Sequence, residues 1–86
     1  MKKSDELSSI INHLENLVYH IENYEKGKNR LIKARNKAKA KHETDRVNQY
    51  DVQIELHNIK INDYKEKYNI AIDKLITTKY EGIKND

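Results

Sequence analysis

The sequence predicts an all-α chain: a long antiparallel helical hairpin, coiled-coil-like, that dimerises into a four-helix bundle. Three observations carry this expectation. Val47, Tyr50, Ile54, His57, Ile61, Tyr64, Tyr68, Ala71 and Leu75 recur at alternating three- and four-residue spacing, a period that only a long amphipathic helix packed along its length sustains. Proline is absent and glycine occurs only at Gly27 and Gly82, so the chain has few obligate breaks. Apolar and charged residues each make up 36% of 86 residues, and cysteine is absent. A chain this small buries little surface, and without disulfides association with another copy is the remaining way to gain stability.

Taken in order, residues 1–86 read as one helical-hairpin domain. Ser4, followed by Asp5 and Glu6, has the form of a helix start, with a capping hydroxyl and two acids at the positive end of the helix dipole. The first arm, about residues 4–41, places Leu7, Ile10, Leu14, Leu17, Ile21 and Tyr24 on one heptad stripe. Ile11 and Val18 broaden it on one side, enough for two neighbours. Gly27 either ends a first helix, with Asn29 capping the next, or sits inside a continuous or kinked one at about 1 kcal/mol relative to alanine. The uninterrupted phase onward to Leu31 and Ala38 favours continuity. His42-Glu43-Thr44-Asp45 breaks the pattern, so the turn is expected at about 42–45, with Thr44 or Asp45 as the cap of the second arm. That arm, about residues 45–81, closes at Tyr80-Glu81-Gly82, and Lys84-Asn85-Asp86 reads as a frayed tail.

Folding at 42–45 brings together residues whose numbers sum to about 87, which sets the broad stripes of both arms at the open end. Two broad stripes exceed what one partner helix covers. The expected oligomer interface is therefore Leu7, Ile10, Ile11, Leu14, Leu17, Val18, Ile21 and Tyr24 with Ile61, Tyr64, Tyr68, Ile72, Leu75 and Ile76.

Charge is the other strong bias. Lys26, Lys28, Arg30, Lys33, Arg35, Lys37, Lys39, Lys41 and Arg46 stand against only Glu43 and Asp45 within residues 26–46, a local excess of 9 − 2 = +7 in a chain whose total is +3. In a hairpin this becomes a basic tip. It reads either as a candidate phosphate contact, for nucleic acid or an anionic surface, or as a solvated face balanced by Asp51 and Glu55 from the other arm. No aromatic residue lies between Lys26 and Arg46, so that segment alone supplies no base-stacking platform.

The remaining side chains point to packing rather than chemistry. Tyr24, Tyr50, Tyr64 and Tyr68 fall on inner positions, where the rings pack and the hydroxyls reach the rim. Tyr19 lies off the stripe and is the best candidate for an exposed contact with a partner protein. His13 and His20 are seven residues apart, not the three or four of a helical zinc pair. His57 occupies an inner position, where a single polar residue can fix register and make assembly pH-sensitive. No catalytic, cofactor or metal site is expected: there is no cysteine, glycine-rich phosphate loop or acid–base cluster. No apolar run reaches the ~18 residues of a membrane span, and the polar start is unlike a signal peptide, so a cytoplasmic protein is expected.

The functional expectation is a non-enzymatic, self-associating helical protein that acts through protein–protein contacts as a regulator, inhibitor or assembly factor. The alternative is a dimeric nucleic-acid-binding protein that uses Lys26–Arg46.

Overall fold

The computed structural model describes the backbone of residues 3–84 and the side chains of residues 5–80. Two long helices, α1 (Lys3–Ala40) and α2 (Thr44–Lys84), pack against each other as an extended hairpin. The chain is a rod of 66 × 15 × 14 Å with a radius of gyration of 19.3 Å; a compact domain of this length would have about 12 Å. The described residues therefore form one interhelical seam and no second layer.

α1 is continuous through Gly27, which adopts no positive φ. This resolves the two readings of that glycine in favour of an unbroken helix. α1 already includes Lys3, so Ser4 lies within the helix and not ahead of it; its hydroxyl falls outside the described side chains. Asp5 and Glu6 sit in the first turn of α1 and Lys37 and Lys39 in the last, each matching the sign of the helix dipole.

The reversal is tighter than the expected 42–45. It occupies Lys41–Glu43 and contains no glycine. His42 takes the left-handed conformation, φ 60°. The His42 N–H donates to the Lys39 carbonyl at 3.1 Å and the Glu43 N–H to the Ala38 carbonyl at 3.0 Å, which is the doubled closure of a Schellman motif. Glu43 also begins α2, since its carbonyl accepts the first helical bond from Val47 N–H at 3.0 Å. Thr44 and Asp45 are thus already helical, and the cap lies at Glu43, whose carboxylate reaches Arg46 at 3.3 Å. One residue serves both helix ends, which is why the turn is short. At the other end α2 continues through Gly82 to Lys84 instead of closing at Gly82; Asn85 and Asp86 lie outside the described residues.

Facing pairs fix the register. His20 meets Tyr64, Tyr24 meets Tyr64, Arg35 meets Asp51 and Glu25 meets Lys65, so paired residue numbers sum to between 84 and 90. The apolar core lies toward the open end, where Ile10, Leu14, Leu17 and Ala71 are buried and Tyr64, Tyr68, Ile72 and Leu75 pack against them. Farther along, Ile61 and Ala38 are the other buried apolar residues. The seam thus changes character along its length: aliphatic at the open end, aromatic in the middle, small side chains and an ion pair near the turn.

Candidate functional site

The open half has two flanks, and one of them is apolar. Ile11, Val18 and Glu25 are seven residues apart and share a flank of α1; Lys65 and Ile72 do the same on α2. The Lys65 ammonium stands 3.6 Å from the Glu25 carboxylate, which places both rows on one side of the rod. Ile76, one turn beyond Ile72, extends this flank. Ile11 is 44% exposed, Val18 38% and Ile76 60%, while Ile72 is half-buried. Four branched aliphatic residues therefore line a strip of solvent-facing surface beside the core.

The fourteen residues of the expected interface divide accordingly. Ile10, Leu14, Leu17 and Ile61 are buried within the hairpin and close its own seam. Leu7, Ile21, Tyr24, Tyr64, Tyr68 and Leu75 are half-buried along that seam. Ile11, Val18, Ile72 and Ile76 form the outward strip.

Between the open half and the tip lies a cluster of rings. His57 is half-buried; its Nδ1–H donates to the Gln53 carbonyl at 2.9 Å, a bond to the residue four earlier that orients the ring, and Nε2 faces Gly27 on the other helix. A β-carbon built on that glycine would stand 3.0 Å from His57 Nε2. Tyr24 packs edge-on to His57 at 5.6 Å between ring centroids and is tilted against Tyr64 at 5.7 Å. His20 stacks on Tyr64 at 5.0 Å with 13° between planes, and Tyr19 sits edge-on to His20 at 5.8 Å. Lys67, paired to Asp63 at 3.2 Å, lies 5.4 Å from the Tyr64 centroid. Tyr19 is 62% exposed, as its position off the stripe required. The contact between Gly27 and His57 was not visible in the sequence, although both residues were conspicuous individually.

At the tip the structure sorts nine basic residues into different roles. Arg35 turns toward α2 and pairs with Asp51. Lys28 is half-buried beside the seam. Arg46 is held by Glu43. Lys26, Arg30, Lys33, Lys37, Lys39 and Lys41 are exposed and make no ion pair among the described residues. Lys37, Lys41, Glu43 and Arg46 line a notch of about 160 Å³ with Ala34, Ala38 and Tyr50. Tyr50 thus reaches the basic surface from α2, which sequence distance along α1 alone did not reveal.

Two further surfaces emerge only from the folded chain. Val52, Leu56 and Ile59 are 54–62% exposed and follow i, i+4, i+7 spacing, so they form an apolar ridge on the back of α2. On the flank opposite the apolar strip, Ile10, Ala71 and Ile70 floor a shallow groove of about 310 Å³ rimmed by His13, Lys67 and Lys74. Among the described residues no group of three or more His, Asp or Glu could hold a metal ion, and no helix is long and apolar enough to cross a membrane. Compared with known proteins, the chain matches no family, no curated protein and no solved structure.

Proposed function

We propose that this chain is a non-enzymatic binding protein whose open half associates with a second copy. In this reading the paired hairpins act through protein–protein contacts as a regulator, inhibitor or assembly factor. The observation that carries it is the apolar strip of Ile11, Val18, Ile72 and Ile76, which lies beside the core instead of within it. A rod only two helices thick leaves such residues facing water, and each large aliphatic side chain removed from water contributes about 1.5–3 kcal/mol. A second hairpin laid along this flank would complete a four-helix bundle with its own apolar centre. The pair Glu25–Lys65 would then mark the edge of the contact nearest the tip.

The direct test is molar mass by multi-angle light scattering over a range of protein and salt concentrations. A dimer that persists as salt rises supports the reading, since apolar contacts gain from salt while exposed charge contacts weaken. A monomer at every concentration would remove the basis of the proposal.

A further inference from the structure

The outer face of α1 near the turn carries a row of cations that the apolar strip does not explain. Lys26, Arg30, Lys33, Lys37 and Lys41 follow one another at steps of four, three, four and four residues. Such steps keep side chains close to one helical face, about 4.5–6 Å apart along the axis, so the row extends roughly 22 Å. All five are exposed and none belongs to an ion pair among the described residues. No acid lies between Glu25 and Glu43. The row runs into the notch at the turn, where Lys37 and Lys41 meet Arg46 and the Tyr50 ring over the small side chains of Ala34 and Ala38. One cation there is offset by Glu43, 3.3 Å from Arg46, so the notch keeps a net positive charge.

We propose that this face, from Lys26 to the notch at Tyr50, is a contact surface for the backbone phosphates of nucleic acid. The ligand chemistry follows from what the face contains. Regularly spaced, exposed cations suit a line of phosphates and neutralise them with counterion release. Arg30 and Arg46 can fork onto single phosphates. The cationic face itself carries none of the large exposed apolar side chains that anchor a protein or a bilayer; the ridge of Val52, Leu56 and Ile59 is level with it but belongs to the back of α2. Binding is therefore electrostatic and largely independent of base sequence. Tyr50 adds to the lining of the notch an aromatic residue that the basic segment lacks on its own. This inference does not depend on self-association, because a single hairpin presents the whole face.

The test uses the full chain and a short mixed-sequence DNA duplex labelled for fluorescence anisotropy, titrated at several salt concentrations. Wild-type affinity falls linearly with salt on a log–log plot. The variant Lys33→Gln/Lys37→Gln/Lys41→Gln binds at least about tenfold more weakly and loses about two to three units of that slope, near one unit per phosphate contact removed. A control that removes the same charge elsewhere, Lys60→Gln/Lys74→Gln/Lys79→Gln, stays within about twofold of wild type by the same reasoning. All six lysines are exposed, and circular dichroism confirms that both variants keep their helices. Wild type that ignores the duplex, or equal losses in the two variants, overturns the proposal. So does wild type that binds vesicles of phosphatidylcholine and phosphatidylserine while leaving the duplex free, since the face would then be reading lipid.

Discussion

Gly27 and His57 are a matched pair: the missing side chain of one makes room for the ring of the other. A methyl group at Gly27 would meet His57 Nε2 at 3.0 Å and Cδ2 at 3.3 Å. The ring has little freedom to retreat, being tied to the Gln53 carbonyl and backed by Tyr24. Glycine inside a helix costs about 1 kcal/mol relative to alanine, and this contact is its local compensation.

The pair should therefore behave non-additively. Gly27→Ala alone is expected to change stability by less than about 0.5 kcal/mol, because the helix-propensity gain is set against displacement of the ring. In a His57→Ala background the same substitution should stabilise by about 1 kcal/mol. Urea denaturation of the four proteins in a double-mutant cycle measures the difference. An identical effect in both backgrounds would show that the two residues do not communicate.

His42→Gly should stabilise the hairpin. His42 holds φ 60° without being glycine, a conformation that costs an L-residue about 1 kcal/mol and glycine almost nothing. After the roughly 0.4–1 kcal/mol of entropy that glycine adds to the unfolded chain, a gain of up to about 0.5 kcal/mol is expected. His42→Val, β-branched at the same φ, should destabilise instead. Thermal melts of both variants check the sign.

The core and the outer ridge should respond very differently to truncation. Leu17 is 4% exposed and packed within the cluster of Ile10, Leu14 and Ala71, so Leu17→Ala should cost about 2–4 kcal/mol. Val52 is 62% exposed on the back of α2, and Val52→Ala should stay within about 0.5 kcal/mol. If Val52→Ala cost as much as Leu17→Ala, the ridge would be buried in solution by some contact absent from a single hairpin.

Ile11→Glu with Ile76→Glu should convert the proposed dimer to monomer without unfolding it. Ile11 is 44% and Ile76 60% exposed, and both lie on the flank that the Glu25–Lys65 pair marks. Four carboxylates facing one another across a two-fold interface would repel. The readout is molar mass together with helical circular dichroism. A dimer of unchanged mass would move self-association to another surface.

Much of this arrangement was legible in the sequence because it depends on periodicity. The heptad phase from Val47 to Leu75 placed Ile61 and Ala71 in the seam, where both are buried, and continuity of phase across Gly27 anticipated an unbroken α1. The basic tip and a pairing with Asp51 also followed from linear order. What the sequence hid was conformational or relational. A left-handed histidine closes the turn where glycine or asparagine would have announced it, so the reversal falls at Lys41–Glu43. Stripe width could not separate residues that close the hairpin, such as Leu14 and Leu17, from those left outside it, such as Ile11 and Val18, because that depends on where the partner helix lies. The approach of Tyr50 to Lys37 and Lys41 likewise depends on register across the turn, which no spacing within one helix encodes.

The 66 Å length of the rod has an electrostatic consequence. At physiological ionic strength charges in water are screened over about 8 Å, a small fraction of the distance between the turn and the open half. The two ends are thus insulated from each other: a change of charge at Lys37 or Lys41 alters the field around the turn and leaves the strip at Ile11 and Ile72 in the same surroundings. Substitutions at the two ends should combine additively, so that the proposed phosphate contact at one end and the proposed self-association at the other can be tested as separate variables in a single chain.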